Sequence, residues 1–264
     1  MIITSRDNSL LRQARAVRDG KVEELIFIEG LRLCEEALRS GLTLEAAIFS
    51  EEIARKERAA PVIDELTRVC ERVASVSEKL LESISYTKTP QGIIVLARRP
   101  DASEARLSET IRDTPLVVVM HQINNPVNVG AILRTAEAAG ATGAIATRNT
   151  TDPFSPKALR GAMGSAFRLP IWNGASYREA IDWCASRDIF SVCADARASS
   201  NYTDVDWRRP SALILGPESA GLVPEEISAA SETVRIPMQG LVESLNVSVA
   251  AGILLYEAVR QRQT

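Results

Sequence analysis

The feature that most limits the folds open to this chain is a repeated pairing of two patterns. A short, mostly apolar run is followed by a stretch with apolar residues at helical spacing. "LIFIEG" (25–30) precedes "LRLCEEALRSG", and "LEAAIFS" precedes "APVIDELTRVC". "RVASVS" and "GIIVLARR" flank a short helix around Glu78 to Ser83. The series restarts at "PLVVVM" (115–120), which leads into the helical stretch "NVGAILRTAEAAG". "GAIAT", "IFSVCA", "SALILG" and "TVRIPM" read as further strands, and "SPKALRGAM", "YREAIDWCASR" and "PEEISAA" as helices. Strands apolar at every position need cover on both sheet faces, and crossover helices supply it. All-helical and all-β folds are thereby excluded. Between the two series, "RPDASEARLSETIRDT" (99–114) is charged and poor in apolar residues. The expected organisation is two α/β domains, 1–99 and 115–264, joined by a linker over 100–114.

Among the 264 residues no apolar run approaches the roughly 20 needed to span a bilayer. The start, "MIITSRDNSLLRQAR", has no signal-peptide apolar stretch, so a cytoplasmic protein is expected. Cys34, Cys70, Cys184 and Cys193 form no C-x-x-C pair and sit in apolar segments, which reads as reduced core thiols. The single histidine, His121, follows "LVVVM" and reads as a structural residue at a strand end. One histidine leaves little room for a histidine metal site or a Ser-His-Asp triad.

The net charge of -3 argues against a general nucleic-acid coat. Two stretches nevertheless lean basic. Arg6, Arg12, Arg15 and Arg18 face only Asp7 within the first eighteen residues, and Pro153 to Arg178 contains Lys157, Arg160, Arg168 and Arg178 with no carboxylate. A charge run is usually a solvated face, but an acid-free stretch in an acidic chain points to an anion-facing surface.

Neither a P-loop nor a G-x-G-x-x-G dinucleotide fingerprint occurs, which leaves a nucleotide-dependent oxidoreductase without support. "RGAMGS" offers only a helix-ending glycine pair. Three other segments carry candidate chemistry. In "NNPVNVGAILRTAEAAG" (124–140), Asn128 stands where a helix N-cap belongs, Gly130 permits close backbone approach and Arg134 follows further along the helix. In "LILGPESAGL" (213–222) a buried strand ends in Gly216, with Glu218 and Gly221 beyond it. In "IPMQGLVESLNVSVAAGILLYE" (236–257) an apolar C-terminus is interrupted by Pro237, Gly240, Ser244 and Asn246. All three would project from strand carboxyl ends, where open α/β sheets bind ligands. Taken singly, each feature reads equally well as a cap, a surface charge or a turn.

Together and in this order they resemble the SpoU (TrmH) family of RNA ribose 2′-O-methyltransferases, of the SPOUT class. The family pattern N-x-G-x-x-x-R is met by Asn128, Gly130 and Arg134, and G-x-E-x-x-G by Gly216, Glu218 and Gly221. The I-P-M-x-G…S-L-N-V-S-V-A pattern is met by Ile236, Pro237, Met238, Gly240 and Ser244 to Ala250. The resemblance covers 115–264. "LIFIEG" and "TPQGIIVLA" give 1–99 a weaker likeness to the family's small RNA-binding domain, which is similar to a ribosomal protein that binds kinked RNA. Asn125 stands where an Asp often precedes the Pro, a departure expected to matter little.

The resemblance implies a C-terminal domain folded as a deep trefoil knot, S-adenosylmethionine as cofactor and no metal. It implies a homodimer and an RNA partner, with neither DNA nor membrane involved. Large-subunit rRNA is the expected substrate; a transfer RNA, or a non-catalytic ribosome-assembly role on the same fold, is the alternative. By motif position Arg134, Asn128, Glu218, Ser244 and Asn246 form the catalytic set, with Glu218 orienting Arg134 or a neighbouring amide. Gly216, Ile236, Met238, Gly240 and Leu245 are the cofactor-binding set. Arg6 and Arg12 would hold RNA on the N-terminal domain, and Lys157 and Arg160 would hold it beside the pocket. The guanidinium pKa, above about 12, suits Arg134 to stabilising charge better than to acting as a base.

Overall fold

The computed structural model describes residues 1–111, 113–218 and 220–263. In chain order the strands are β1 (Ile2–Ile3), β2 (Leu25–Glu29), β3 (Leu44–Ser50), β4 (Arg72–Val76), β5 (Ile93–Arg98), β6 (Leu116–Met120), β7 (Gly143–Thr147), β8 (Ile171–Ala175), β9 (Phe190–Ala194), β10 (Ser200–Asn201), β11 (Ser211–Leu215) and β12 (Glu232–Arg235). The helices are α1 (Ser9–Arg18), α2 (Leu31–Arg39), α3 (Glu51–Ala54), α4 (Ala60–Val69), α5 (Glu78–Ile84), α6 (Glu104–Thr110), α7 (Pro126–Ala138), α8 (Pro156–Ala162), α9 (Ser165–Arg168), α10 (Tyr177–Ala185), α11 (Pro224–Ala229) and α12 (Val247–Arg262). The chain divides into two compact units, Met1–Pro100 with Phe154–Arg168, and Asp101–Pro153 with Leu169–Thr264.

The first unit has a five-stranded mixed sheet ordered β1-β4-β3-β5-β2, with β5 antiparallel to both of its neighbours. On one face Leu11 and Ala14 of α1 and Leu81 and Ile84 of α5 pack against Phe27, Ile48, Ile94 and Leu96. Helix α1 was absent from the sequence reading, yet Leu10, Leu11, Ala14 and Val17 are all buried and Asn8 caps the amide of Leu10 at 2.9 Å. Helix α8 packs on β2 in this unit. Part of the acid-free stretch, Phe154–Arg168, packs in this unit and buries Phe154, Ala158, Leu159, Ala162 and Phe167, while Leu169–Arg178 belongs to the second.

The second unit is a seven-stranded parallel sheet ordered β10-β12-β9-β11-β6-β7-β8. Strands β6, β7 and β11 are buried at every residue, as their apolar runs require. Val117, Val119, Ile145 and Ile214 pack with Ile181 and Trp183 of α10 on one face. Helix α12 packs on α7 and on β11. From β6 the chain runs outward to β7 and β8, while β11, β9 and β12 lie on the other side of β6. The switch point falls between β6 and β11, the place where such sheets open a crevice at their carboxyl edge.

Three readings need correction. The expected linker contains α6, whose Leu107 is fully buried and whose Ser108 hydroxyl accepts from Trp183 Nε1 at 3.0 Å. One well-placed leucine docks this helix despite its charged sequence. The last strand stops at Arg235 instead of running through "IPM"; Pro237 has no N–H to give to a ladder. The cap of α7 is Asn125, accepting from Val127 N at 3.0 Å, with Pro126 in the first turn. Asn128 is thus freed from capping and lies buried inside that turn.

Candidate active site

The loops after β6, β9, β11 and β12 enclose a cavity of about 700 Å³, within the ~300–1,000 Å³ range of small-molecule sites. Leu215, Val234, Ile236, Met238 and Leu245 give it an apolar lining, and Gly216, Pro217 and Gly221 bring backbone to its wall. A Cβ on Gly216 would meet Leu222 Cγ at 2.8 Å, so only glycine lets this turn close against the buried Leu222. Gly221, at φ +68°, completes the turn. Among the described residues no backbone hydrogen bond ties Pro237–Leu245 to the rest of the chain, so this extended stretch keeps its amides and carbonyls for another partner.

The three motif segments meet in one hydrogen-bonded chain. Asn128 Nδ2 donates to Glu218 Oε1, and Asn246 Nδ2 donates to Asn128 Oδ1 at 3.3 Å. Asn246 Oδ1 accepts from the backbone N of Ser248 at 2.9 Å and from its hydroxyl at 2.6 Å, which caps α12. Each amide therefore has its orientation fixed: carboxylate and helix N–H dictate which end donates and which accepts. Asn128, Glu218, Ser244 and Asn246 all line the cavity, as do Gly216, Ile236, Met238 and Leu245.

Two assigned residues stand apart. Gly240 is exposed and lies outside the cavity lining. Arg134 is exposed on α7, does not line the cavity, and makes no hydrogen bond or ion pair among the described residues. Glu218 accepts from the Asn128 amide, one of the two partners expected for it.

The sequence reading also missed Asp195, Arg197 and Glu243, which line the same cavity. The Arg197 guanidinium bonds Asp195 at 2.9 and 3.1 Å and holds its carboxyl below the usual range. The place of Asp195 and Arg197 just beyond "IFSVCA", at a strand carboxyl end, and of Glu243 in the loop after β12, was the available signal.

The four cations assigned to RNA all belong to the first unit. Arg6, Arg12, Lys157 and Arg160 are exposed and pair with no carboxylate among the described residues. The other basic residues are committed. Arg15 donates to the Arg6 carbonyl at 2.7 Å, Arg18 pairs with Asp19 at 2.8 Å, Arg168 with Glu36 at 2.6 Å and Arg178 with Asp182 at 2.9 Å. A stretch without acids in sequence is not without acids in space, and only Lys157 and Arg160 of its cations remain unpaired. Neither of these two lines the cavity.

Residues 115–256 match the SpoU rRNA Methylase family, and residues 10–95 match the MRM3-like substrate binding domain. The chain is 32% identical to the 23S rRNA (guanosine-2'-O-)-methyltransferase RlmB of Bordetella pertussis, over 82% of this chain and 89% of that one. It is 34% identical to the 23S rRNA (uridine(2479)-2'-O)-methyltransferase of Streptomyces viridochromogenes, over 73% and 68%. The crystal structure of an AdoMet-bound rRNA methyltransferase from Sinorhizobium meliloti superposes with a TM-score of 0.86 at 30% identity, covering 98% of this chain and 97% of that one. The chain belongs to the SpoU rRNA methylase family.

Proposed function

We propose that the protein transfers the methyl group of S-adenosylmethionine to a ribose 2′-hydroxyl of large-subunit rRNA. The observation that carries this reading is the Glu218–Asn128–Asn246–Ser248 chain, which joins all three motif segments on the wall of one cavity at the sheet's switch point. The lining fits the cofactor. Leu215, Ile236, Met238 and Leu245 offer apolar cover for a purine, the unpaired backbone of Pro237–Leu245 offers donors and acceptors to its edge, and Asp195, Glu218 and Glu243 suit a cationic ligand. When bound, S-adenosylmethionine supplies an electrophilic methyl on a sulfonium. Asn128 and Asn246 hold the loops of the three motifs in one arrangement. Arg134, exposed and uncommitted, is assigned to the RNA: its guanidinium clamps a phosphate and stabilises negative charge growing on the 2′-oxygen. Isothermal calorimetry with S-adenosylmethionine tests the reading; a chain that binds none would instead be an assembly factor. A cytoplasmic location is inferred from the substrate.

The first unit is assigned to gripping RNA through Arg6, Arg12, Lys157 and Arg160. Each phosphate contact releases counterions, with a log–log salt slope of roughly -0.7 per contact on single strands. Replacing Lys157 and Arg160 together by Ala is expected to flatten that slope by about one unit or slightly more, uniformly across sequences. Cofactor affinity should stay as it is. A filter-binding salt titration checks this, and an unaltered slope returns both residues to an ordinary solvated face.

A homodimer is proposed through α12 and its neighbours. Ala251, Leu254, Leu255 and Ala258 of this helix are buried within the chain, while Val249 and Tyr256 lie on one exposed stripe. Leu241 and Val242 in the preceding loop and Val127 on α7 are also exposed. Sedimentation at micromolar concentration should report a dimer for the wild type and a monomer for Val249→Asp/Tyr256→Asp; a monomeric wild type contradicts the assignment.

The C-terminal segment is proposed to form a trefoil knot. Strand β12 joins the sheet between β9 and β10, whereas α12 returns to α7 and β11. Its end is held where Arg262 donates to the carbonyls of Trp207, Thr114, Pro115 and Arg209 at 2.8 to 3.0 Å. Single-molecule stretching from both ends should leave a contour length shorter than that of a linear chain, and the full linear length would exclude the knot.

A further inference from the structure

His121 is used by none of the three motifs, yet it is placed to control the second. Its backbone N donates to the carbonyl of Leu215 at 2.9 Å, the last residue of β11 before the motif turn begins. Its side chain reaches the far end of the same turn. Nε2 lies 2.9 Å from Glu226 Oε1 on α11, and Nδ1 lies 2.9 Å from the hydroxyl of Thr147 at the end of β7. A carboxylate accepts only, so Nε2 carries the hydrogen and Nδ1 accepts from the threonine hydroxyl. Burial pushes the imidazole below its ordinary range, against the opposing pull of Glu226.

Glu226 is held at three points. Besides His121 on Oε1, its Oε2 accepts from Val223 N at 3.0 Å, and its carbonyl accepts from the Tyr177 hydroxyl at 2.7 Å. The Tyr177 ring meets the His121 ring edge-on, 4.8 Å between centroids. Helix α11 has only six residues, none fully buried, and besides the Glu226 contacts it is held by Ile227 and Ala229 packed against the core. Between Leu215 and Glu226 lie Gly216, Pro217, Glu218 and Gly221, all cavity residues, of which Glu218 holds Asn128.

We infer that His121 and Glu226 are positioning residues for cofactor binding: together they brace both ends of the motif-two turn and so fix Gly216, Glu218 and Gly221 against the S-adenosylmethionine pocket. This rests on the cofactor assignment proposed above. The brace acts through geometry, since neither side chain lines the cavity.

The test measures S-adenosylmethionine dissociation constants by calorimetry, with thermal unfolding in parallel, for the wild type, His121→Ala, Glu226→Ala, the double variant and Glu226→Gln. The brace predicts that each alanine variant binds the cofactor about tenfold more weakly at temperatures where it remains folded. The double variant should be no worse than either single, because one removal already opens the brace. Glu226→Gln keeps one oxygen to accept from Nε2 but turns its amide NH2 towards the Val223 N–H, so it should recover only part of the affinity. Should His121→Ala fail to fold, the half-buried Glu226 variants carry the test. Alanine variants that lose thermal stability but bind as tightly as wild type overturn the inference, as do strictly additive losses. A wild type that binds no S-adenosylmethionine overturns the cofactor assignment itself.

Discussion

Arg134→Ala is expected to lower methyl transfer by about 10²–10³-fold, the usual cost of removing one preorganised charge from a transition state. The dissociation constant for S-adenosylmethionine should stay within about twofold of wild type, because an interaction made mainly in the transition state shows in turnover and not in ground-state binding. The structural ground is separation: Arg134 lies outside the cavity lining and bonds to nothing among the described residues. Arg134→Lys should recover little, since an ammonium cannot reproduce a planar fork on a phosphate. Single-turnover kinetics alongside calorimetry decide it. Wild-type turnover in the alanine variant removes Arg134 from the mechanism, and a parallel loss of cofactor affinity moves it into the cofactor site.

Asn128→Asp should behave as a pH-dependent lesion. The Asn128 amide donates to Glu218 and accepts from Asn246. An aspartate keeps the shape and the acceptor, but it sets a second carboxylate against Glu218. Two carboxylates sharing one site cannot both ionise cheaply, so the pair takes up a proton with a raised apparent pKa. Above that value the repulsion splays the first and second motifs, and cofactor affinity should fall by roughly 10- to 100-fold. As the pH falls through it, the shared proton restores a donor towards Glu218 and affinity should return. Asn128→Ala, with no group to protonate, should lose affinity at every pH. Calorimetry between pH 5 and 8.5 on all three proteins checks the sign; an aspartate variant that weakens as pH falls would show that the Glu218 contact does not organise the pocket.

How much of this was legible beforehand depended on sequence distance. The strands β2, β3, β6, β7 and β11 were readable because each is a short, mostly apolar run, and the start of α12 because Asn246 caps it locally. The motif residues were legible because their spacing within each segment is tight. What the sequence could not carry was the pairing across segments. Asn128 and Glu218 are ninety positions apart, and no local rule links His121 to Glu226. Strands β8 and β10 were missed because "IWNGA" and "SN" are not apolar runs. The packing of segment 154–168 with the first unit was not legible either, because its buried faces fit either core until the contacts are known.

The central claim is tested most directly by the chemistry. The purified protein is incubated with methyl-labelled S-adenosylmethionine and unmodified large-subunit rRNA, and the RNA is digested to nucleosides for mass spectrometry. The account predicts label on a single 2′-O-methyl nucleoside, absent with Arg134→Ala. Label on a base, or no label from a wild-type protein shown to bind the cofactor and the RNA, would contradict it.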